Sequence, residues 1–368
     1  MSTSMPVLPK YGRGALSDVV PVLCAPGGPR SVPSWMPSVV AGAPRVVLLL
    51  LDGLGWNQLE AHREHMPTLS SFVGSHITTI APSTTAAALT SLATGLAPGE
   101  HGIIGYRMDM GDTVMNVLRW ADEKGDLRRQ YPPQQVQPCP PFLGLSVPVL
   151  SKGELQGSGF TLAHLAGVKE MGWRAVSSIP VIVNNALAAG EEFVYVYYDG
   201  VDKIAHERGF GEFYEAELRA ADALVADILS VLPSDTVLVV TADHGQVHVG
   251  DNTILPSTDV SEHVHHQSGE GRFRWLHARR GRVDALREAC QQYSNVAWVV
   301  EKQQVLDEKW FGPRVADAVA RRMGDIALAA HAPVSFDEPL DSGPYQLVCR
   351  HGSLTADEML VPLLAKAV

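Results

Sequence analysis

Three runs of consecutive apolar residues, each followed by polar residues, dominate the hydrophobic pattern of the chain. They span 45–51, 193–198 and 236–241, and such runs are typical of strands buried on both faces of a parallel sheet. A helical pattern over 212–229 lies between the last two runs, and its apolar stripe consists of Leu218, Ala221, Leu224, Val225 and Ile228. This alternation predicts an α/β fold with a mainly parallel central sheet and helices on both faces.

Two long stretches interrupt the alternation and predict insertions. Residues 108–158 are rich in Pro, Gln and Gly, and residues 251–341 are largely polar. We expect both to build a cap over a site, and we expect the proline-rich residues 1–44 to form an arm laid over the surface. The catalytic core is then predicted to comprise 45–107, 159–250 and 342–368.

Composition and charge narrow the class of protein. The chain has 368 residues, of which 46% are hydrophobic and 19% charged, as in globular proteins. Its 29 basic and 40 acidic residues give a net charge of −11, which disfavours binding to a nucleic-acid duplex. A phosphate-bearing substrate would need positive charge supplied by something other than the chain's overall balance, and metal ions are the natural source.

The chain also lacks the patterns of membrane and disulfide-rich proteins. Its longest purely aliphatic run, 46–51, is far shorter than the ~20 residues that span a bilayer. No secretory signal pattern opens the sequence, so we expect a cytoplasmic protein without a membrane partner. The four cysteines form no CxxC pair and are expected to be free thiols.

Carboxylates and imidazoles follow the predicted strands. Ligands of open α/β sheets gather beyond the carboxyl ends of the strands, and Asp202 and His206 are four residues apart, on one face of a helical turn. Each residue alone has an ordinary explanation as a helix cap or surface side chain. Together they predict a site for two divalent ions, most plausibly zinc, at Asp52, Asp202, His206, Asp243, His244 and His351.

A hydroxyl stands at the start of another predicted helix. Pro82-Ser-Thr-Thr85 precedes an alanine-rich run that ends at Gly95, which predicts a helix with a glycine at its end. The positive end of such a helix favours an anionic oxygen or a phosphate. Simple helix capping is the alternative, and the residues alone do not choose between Thr84 and Thr85.

The order of these motifs resembles that of a known enzyme superfamily. Val46 to Gly53, Pro82 to Thr85 with Thr94-Gly95, Glu100 to Ile104, Asp202 with His206, Asp243-His244-Gly245 and His351-Gly352 are similar to the motifs of the alkaline phosphatase superfamily. The branch that they resemble is the type I phosphodiesterase/nucleotide pyrophosphatase family. The resemblance covers roughly residues 45–260 and the last 20.

The resemblance implies roles for individual residues. In the family the nucleophile lies nine residues before the Thr of the Thr-Gly pair, which implies Thr85. One metal is implied at Asp52, Asp243, His244 and the Thr85 oxygen, and the other is implied at Asp202, His206 and His351. Zn²⁺ is the expected metal and Mn²⁺ the alternative.

The activity implied by the resemblance is hydrolysis of phosphodiester or nucleotide pyrophosphate bonds in a small phosphate ester or nucleotide. The intermediate is expected to be a phosphorylated or nucleotidylated Thr85. One position departs from the family: an Asn that usually follows the nucleophile by three residues is Ala88 here. Oxyanion binding is then left to metal, backbone amides or an arginine such as Arg107, Arg272 or Arg274. A phosphomonoesterase, sulfatase or phosphonate hydrolase on the same scaffold is the alternative, and the sequence leaves the oligomeric state open.

Several further polar residues are expected to stay outside the chemistry. Asp199 is predicted to terminate its strand rather than bind metal, and His101 is predicted to have a packing role. The remaining histidines near the second insertion are expected to be solvated loop residues rather than ligands; they are His248, His263, His265 and His266.

Overall fold

A computed structural model describes residues 5–338 and 347–368 of the chain. The predicted boundary between 341 and 342 lies outside these described residues. None of the helices within them is both long and apolar enough to cross a membrane. All four cysteines are free thiols, as expected.

A seven-stranded sheet lies at the centre of the described chain. In spatial order its strands are β2 (Val73–Thr78), β19 (Leu360–Ala367), β10 (Thr236–Thr241), β1 (Arg45–Leu51), β9 (Phe193–Tyr198), β7 (Pro148–Lys152) and β8 (Lys169–Trp173). The five strands from β10 to β8 are mutually parallel, and β19 runs antiparallel to both β10 and β2. The predicted α/β fold with a mainly parallel central sheet is confirmed.

The three apolar runs form the middle of this sheet. Leu48, Leu49 and Leu50 of β1 are completely buried, and β1 has a parallel neighbour on each side. In the register of the sheet, Leu50 lies opposite Thr241 and Leu51 lies opposite Tyr198. The carboxyl ends of β1, β9 and β10 therefore align at one edge.

Many of the described helices pack in two groups. One group contains α3, α8, α9 and α10, and the other contains α1, α4, α5, α6, α7 and α14; in addition, α2 packs with α15 and α11 packs with α12. Their bounds are α1 (Val19–Leu23), α2 (Trp56–Ala61), α3 (Pro67–Ser70), α4 (Thr85–Thr94), α5 (Pro98–His101), α6 (Pro133–Val136), α7 (Gly159–His164), α8 (Ile179–Ala188), α9 (Gly200–Arg208), α10 (Glu212–Val231), α11 (Thr258–Ser261), α12 (Val283–Cys290), α13 (Lys302–Asp307), α14 (Asp317–Ala320) and α15 (Ala356–Met359).

A second sheet draws its strands from both ranges that the sequence assigned to insertions. In spatial order it contains β15 (Ala297–Glu301), β16 (Ile326–Ala330), β14 (Phe273–Ala278), β13 (Val264–Glu270), β3 (Arg107–Asp109), β4 (Val114–Asn116), β5 (Ala121–Asp122) and β6 (Gly125–Asp126). Two short pairs accompany it, β11 (Val247–His248) with β18 (Cys349–Arg350) and β12 (Thr253–Ile254) with β17 (Ser335–Phe336). The contact between β3 and β13 joins the two insertions.

The structure differs from the predicted boundaries in two places. Strand β7 lies in the central sheet although residues 108–158 were expected to be cap; its single proline stands at the first strand position, where a missing N–H is tolerated. The described part of the N-terminal arm does more than cover the surface, because Leu16, Val19 and Val20 are completely buried in the core.

Candidate active site

Two carboxylates meet beyond the ends of neighbouring central strands. Leu50 of β1 lies opposite Thr241 of β10 in the sheet. Asp52 and Asp243 follow these residues by two positions, beyond the ends of β1 and β10. Both are buried, with 1% and 0% of their surface exposed. The parallel register thus explains why residues 191 positions apart lie side by side.

His244 joins these carboxylates to Thr85. Its Nε2 atom lies 3.5 Å from Asp52 Oδ1 and 3.3 Å from Asp243 Oδ2, and 3.0 Å from Thr85 Oγ1. Its Nδ1 lies 3.0 Å from the Gly245 carbonyl, so an N–H donated there leaves the Nε2 lone pair free for a cation. Asp52, Asp243 and His244 form a group whose ligand atoms lie within 4.8 Å of one another.

The remaining contacts of the two carboxylates leave one oxygen of each without a partner. Asp243 Oδ1 accepts hydrogen bonds from the backbone N–H groups of Gly53 and His244, and Tyr197 donates its hydroxyl to Asp52 Oδ2. Asp52 Oδ1 and Asp243 Oδ2 are buried and find no hydrogen-bond partner among the described residues. Buried carboxylate oxygens of this kind carry a large desolvation cost unless a cation compensates it.

Without a bound cation, the ionised forms of Asp52 and Asp243 are unfavourable. Burial, together with the nearby charges of Asp243 and Asp202, raises the pKa of Asp52 well above its usual range. Burial also raises the pKa of Asp243, against the opposing effect of His244. A divalent cation bound between the two carboxylates would reverse both effects, so the residues fit a metal.

A second group of ligands lies next to the first. Asp202 Oδ1, from the first turn of α9, is 3.2 Å from His206 Nε2 in the next turn and 4.0 Å from His351 Nε2. Both imidazoles are oriented through Nδ1, His206 by the Cys349 carbonyl at 2.6 Å and His351 by the Ser83 carbonyl at 2.9 Å. This arrangement leaves their Nε2 atoms available for a metal.

The two groups are contiguous. The rings of His244 and His351 stack with centroids 3.5 Å apart, and Asp202, His244 and His351 form a further group of potential ligands. Burial alone would raise the pKa of Asp202, but the neighbouring imidazoles of His206, His351 and His244 lower it below its usual range. Asp202 is therefore the carboxylate that stays ionised even before a cation binds.

Helix α4 brings the hydroxyl to this edge as the sequence predicted. It spans Thr85–Thr94, Thr84 is its N-cap residue, and Gly95 ends it at φ 70°, a conformation that favours glycine. Thr85 lines a cavity of about 250 Å³ together with Asp52 and Asp202. Thr84 makes no side-chain capping hydrogen bond and is not among the residues that line this cavity.

Two residues that the sequence analysis did not single out complete the edge. Tyr197 binds Asp52, and Gln246 donates from Nε2 to Asp202 Oδ1 at 2.8 Å. Gly53 has φ 74°, and a Cβ there would lie 2.9 Å from Asp202 Cα and 2.7 Å from Gln246 Nε2. The close approach of β1 and α9 therefore requires glycine at this position.

The expected arginines are not available for a substrate. Arg272 is completely buried against Glu358 and three backbone carbonyls, and Arg274 donates to the Phe336 carbonyl. Arg107 binds Glu338. The sequence left metal, backbone amides or an arginine open as the oxyanion partner. The contacts of these arginines disfavour the third choice, since each guanidinium already binds a partner within the fold.

Asp199 lines the same cavity as Thr85, whereas the other polar residues named above lie outside it. Asp199 binds Lys152 and Lys203, and His101 is buried and bonded to Ser91 Oγ at 2.8 Å. His248 lies in β11, and His265 and His266 lie in β13, where a loop was expected; His266 is beside Asp109. His248, His263 and His265 do not belong to any ligand group of the described residues.

Comparisons of the sequence and of the fold with known proteins show the family of the chain. The profile of the family "Type I phosphodiesterase / nucleotide pyrophosphatase" matches residues 46–177 and 173–354. Human ectonucleotide pyrophosphatase/phosphodiesterase 5 shares the fold at a TM-score of 0.65 and 15% identity, over 87% of each chain. No curated protein sequence matches the chain.

Two structures of the murine enzyme agree with the human one. Murine ectonucleotide pyrophosphatase/phosphodiesterase 5 gives a TM-score of 0.62 at 15% identity, and an inactive Thr-to-Ala variant of it, in complex with AMP, gives 0.64 at 14% identity; both cover 87% of each chain. Sequence identities this low show only a shared fold. The family profile, by contrast, matches most of the sequence and therefore shows the family. The chain accordingly belongs to the type I phosphodiesterase/nucleotide pyrophosphatase family and is a phosphoric ester hydrolase.

Proposed function

We propose that this hydrolase cleaves phosphodiester or nucleotide pyrophosphate bonds with Thr85 as its nucleophile and two divalent cations as cofactors. The observation that carries the proposal is the 3.0 Å contact between Thr85 Oγ1 and His244 Nε2, beside two buried carboxylate oxygens without partners. A hydroxyl beside a cation site is activated for attack at phosphorus.

Two sets of residues would hold the cations. Asp52, Asp243 and His244 form one set with the Thr85 oxygen, and Asp202, His206 and His351 form the other. Bound divalent cations supply positive charge that favours the threonine alkoxide and offsets the charge of the phosphoryl oxygens. The mixed carboxylate and imidazole donors suit zinc, and zinc, like a cytoplasmic location, stays a prediction.

The chain's own residues then account for the steps of an in-line displacement. Thr85 Oγ1 gives up its proton and attacks phosphorus while the bond to the leaving oxygen breaks; the leaving oxygen takes up a proton, and the phosphoryl group becomes an ester of Thr85. The backbone N–H groups and positive end of α4 favour the anionic group attached to its first residue. Water then attacks the same phosphorus, the bond to Thr85 breaks, and the hydroxyl is restored.

The cavity next to Thr85 indicates the kind of group that accompanies the phosphate. Its wall includes Leu89, Phe160, Leu165 and Tyr195, with Lys203 at the polar side. A nucleoside or aryl group buries apolar surface there while a phosphate faces Thr85. The AMP complex of the murine enzyme supports a nucleotide as substrate.

The alternative activity on the same scaffold has one observation in its favour. Ala88 is completely buried within α4 and offers no side-chain donor for a phosphate oxygen. A phosphomonoester, sulfate or phosphonate would then be accommodated as readily as a diester. Comparing the hydrolysis of bis-p-nitrophenyl phosphate, p-nitrophenyl phosphate and p-nitrophenyl sulfate by the zinc-loaded protein decides between the two, and the proposal expects the diester to have the largest kcat/KM.

A matched pair of variants tests the nucleophile. We expect Thr85→Ala to lose hydrolysis by roughly 10³-fold or more while its fold is retained, since a covalent mechanism has no substitute for the hydroxyl. Thr84→Ala is the control, because Thr84 adjoins Thr85 but makes no side-chain capping bond. Activity that survives Thr85→Ala, or that is lost equally in Thr84→Ala, contradicts the assignment.

A further inference from the structure

A third set of metal-binding side chains lies on the second sheet, away from the residues assigned to catalysis. Asp109 of β3, His266 of β13 and His277 of β14 offer ligand atoms within 4.8 Å of one another. None of the three belongs to either catalytic set. The set therefore needs an explanation of its own.

The strand pairing of the two insertions builds this set. His266 lies directly opposite His277 in the antiparallel pair β13/β14, just after an irregularity in register that follows Val264. β3 pairs with the other side of β13, where Arg107 faces Gly269. The two imidazole rings stack with centroids 4.0 Å apart and an angle of 16° between their planes.

The distances suit a tetrahedral ion better than hydrogen bonds. Asp109 Oδ2 lies 3.3 Å from His266 Nε2 and 3.4 Å from His277 Nδ1. Zinc bonds of about 2.0–2.1 Å at a tetrahedral angle separate two ligand atoms by roughly 3.3–3.4 Å. N–H···O hydrogen bonds are usually about 2.7–3.2 Å long, so both contacts exceed them.

Hydrogen bonds from neighbouring groups fix the orientation of Asp109 and His277, whereas the ligand atom of His266 has no such partner. Asp109 Oδ1 accepts the backbone N–H of Gly111 at 2.8 Å, and His277 Nε2 is 2.8 Å from the buried Ser268 hydroxyl. Such contacts on the far atom of a ligand are typical of metal sites. His266 Nε2 is buried and has no hydrogen-bond partner among the described residues.

The three side chains supply one ligand fewer than a tetrahedral site holds. One carboxylate and two imidazoles leave a fourth position for a water ligand, and His266 borders an open cavity of about 430 Å³.

We propose that Asp109, His266 and His277 bind one additional divalent cation of the zinc type, which ties the first insertion to the second. The ion would join β3 to the β13/β14 hairpin, in addition to the short β3–β13 contact. This site is independent of the catalytic proposal, since the two share no residue.

Metal counting on the full chain tests the site. Zinc is measured by mass spectrometry after equilibrium dialysis of the wild type, His266→Ala and the matched control His265→Ala, whose exposed imidazole lies on the neighbouring position. We expect His266→Ala to lose one zinc equivalent per chain and His265→Ala to lose none. Equal zinc content in all three proteins overturns the proposal, as does an equal loss in both variants.

A variant that lacks ligands of both catalytic sets distinguishes metal binding at the proposed site from metal binding at the catalytic site. The double variant His244→Ala/His351→Ala removes a ligand from each catalytic set, and we expect it to retain one tightly bound equivalent of Co²⁺ with a tetrahedral absorption spectrum. Adding Asp109→Asn, a substitution of the same size, abolishes that spectrum while circular dichroism stays unchanged. A spectrum that persists in the triple variant, or is absent from the double variant, overturns the third site whatever the catalytic residues do.

Discussion

Two buried clusters of charge in this molecule are built in opposite ways. Arg272 and Glu358 are both completely buried, and the guanidinium uses all five N–H groups: Nε and one Nη2 hydrogen bind the carboxylate, and the others bind the carbonyls of Ala330, Ala332 and Val334. Asp52 and Asp243 are equally buried, yet each keeps an oxygen without a partner.

The difference teaches how to separate a structural ion pair from a functional site. Glu358 also accepts from the Ser353 N–H and the Thr355 hydroxyl, so this pair is complete within the chain and joins the second sheet to the core. The Asp52 and Asp243 pair is complete only when something outside the chain binds it. Buried carboxylates that lack partners within the chain are therefore candidates for a functional site.

Removal of bound metal is expected to have the largest effect of the changes considered. It should affect the site at Asp52 and Asp243 and leave the ion pair of Arg272 and Glu358 intact. Removing metal with a chelator should reduce diester hydrolysis by roughly 10³-fold, or about 4 kcal/mol of barrier, because no charge in the chain replaces the cations. Restoring Zn²⁺ should recover the rate. Full activity of exhaustively metal-free protein, verified by metal analysis, would show that Asp52 and Asp243 act without a cation and would contradict this difference between the two clusters.

Arg272→Met should affect the fold rather than the choice of substrate. Leaving Glu358 buried without its partner is expected to lower the free energy of unfolding by about 3–5 kcal/mol, as measured by urea denaturation of metal-free protein. The half-exposed pair of Arg45 and Asp235 provides the control, and Arg45→Met should cost at most about 1 kcal/mol. Equal losses in the two variants would contradict the structural role of Arg272.

Acid is expected to lower the free energy of unfolding through a buried neutral histidine, His101. Burial lowers the pKa of His101 to about 3, so the folded state keeps it neutral while the unfolded state takes up a proton below pH 6.5. The stability it supports at neutral pH is therefore lost as the pH falls from 6.5 toward 3. The loss reaches about 2 kcal/mol at pH 5.

The His101 contribution is measured as a difference. Urea denaturation of metal-free wild type and His101→Gln at pH 7 and pH 5 should show a smaller pH dependence in the variant. Other buried histidines contribute equally to both proteins and cancel. Identical pH dependence in the two proteins would show that His101 titrates normally.

Tyr197→Phe should weaken the catalytic cluster only modestly. Removing the hydroxyl that Tyr197 donates to Asp52 is expected to lower zinc affinity by about tenfold, since the carboxylate loses its orientation. Tyr198→Phe is the control, because the neighbouring Tyr198 donates to Glu217 instead. Competition with a chromophoric chelator measures both, and an unchanged affinity for Tyr197→Phe would remove this residue from the site.

The parts of this structure that follow local rules could be predicted. Helix α4 has an alanine-rich interior and a glycine at its end, and both of its ends lie where these residues place them. Asp202 and His206 face each other because four residues complete one helical turn. The catalytic edge follows from parallel strands that end together.

Long-range contacts account for what could not be predicted. Arg272 meets a glutamate 86 residues away, a pairing without a local signal. Tyr197 lies in a run of apolar and aromatic residues that is typical of a buried strand, so its bond to Asp52 was hidden. Strand β7 was missed because it is short and follows a proline-rich segment.

Thr85 is proposed to carry the phosphoryl group during turnover. Rapid acid quenching of the zinc-loaded protein with bis-p-nitrophenyl phosphate, followed by peptide mass spectrometry of residues 82–95, tests this directly. We expect a phosphoryl ester on Thr85 that forms within one turnover and is absent from Thr85→Ala. An adduct on Thr84 or on a histidine, or turnover with no adduct in a Thr85→Ala protein that remains active, would contradict it.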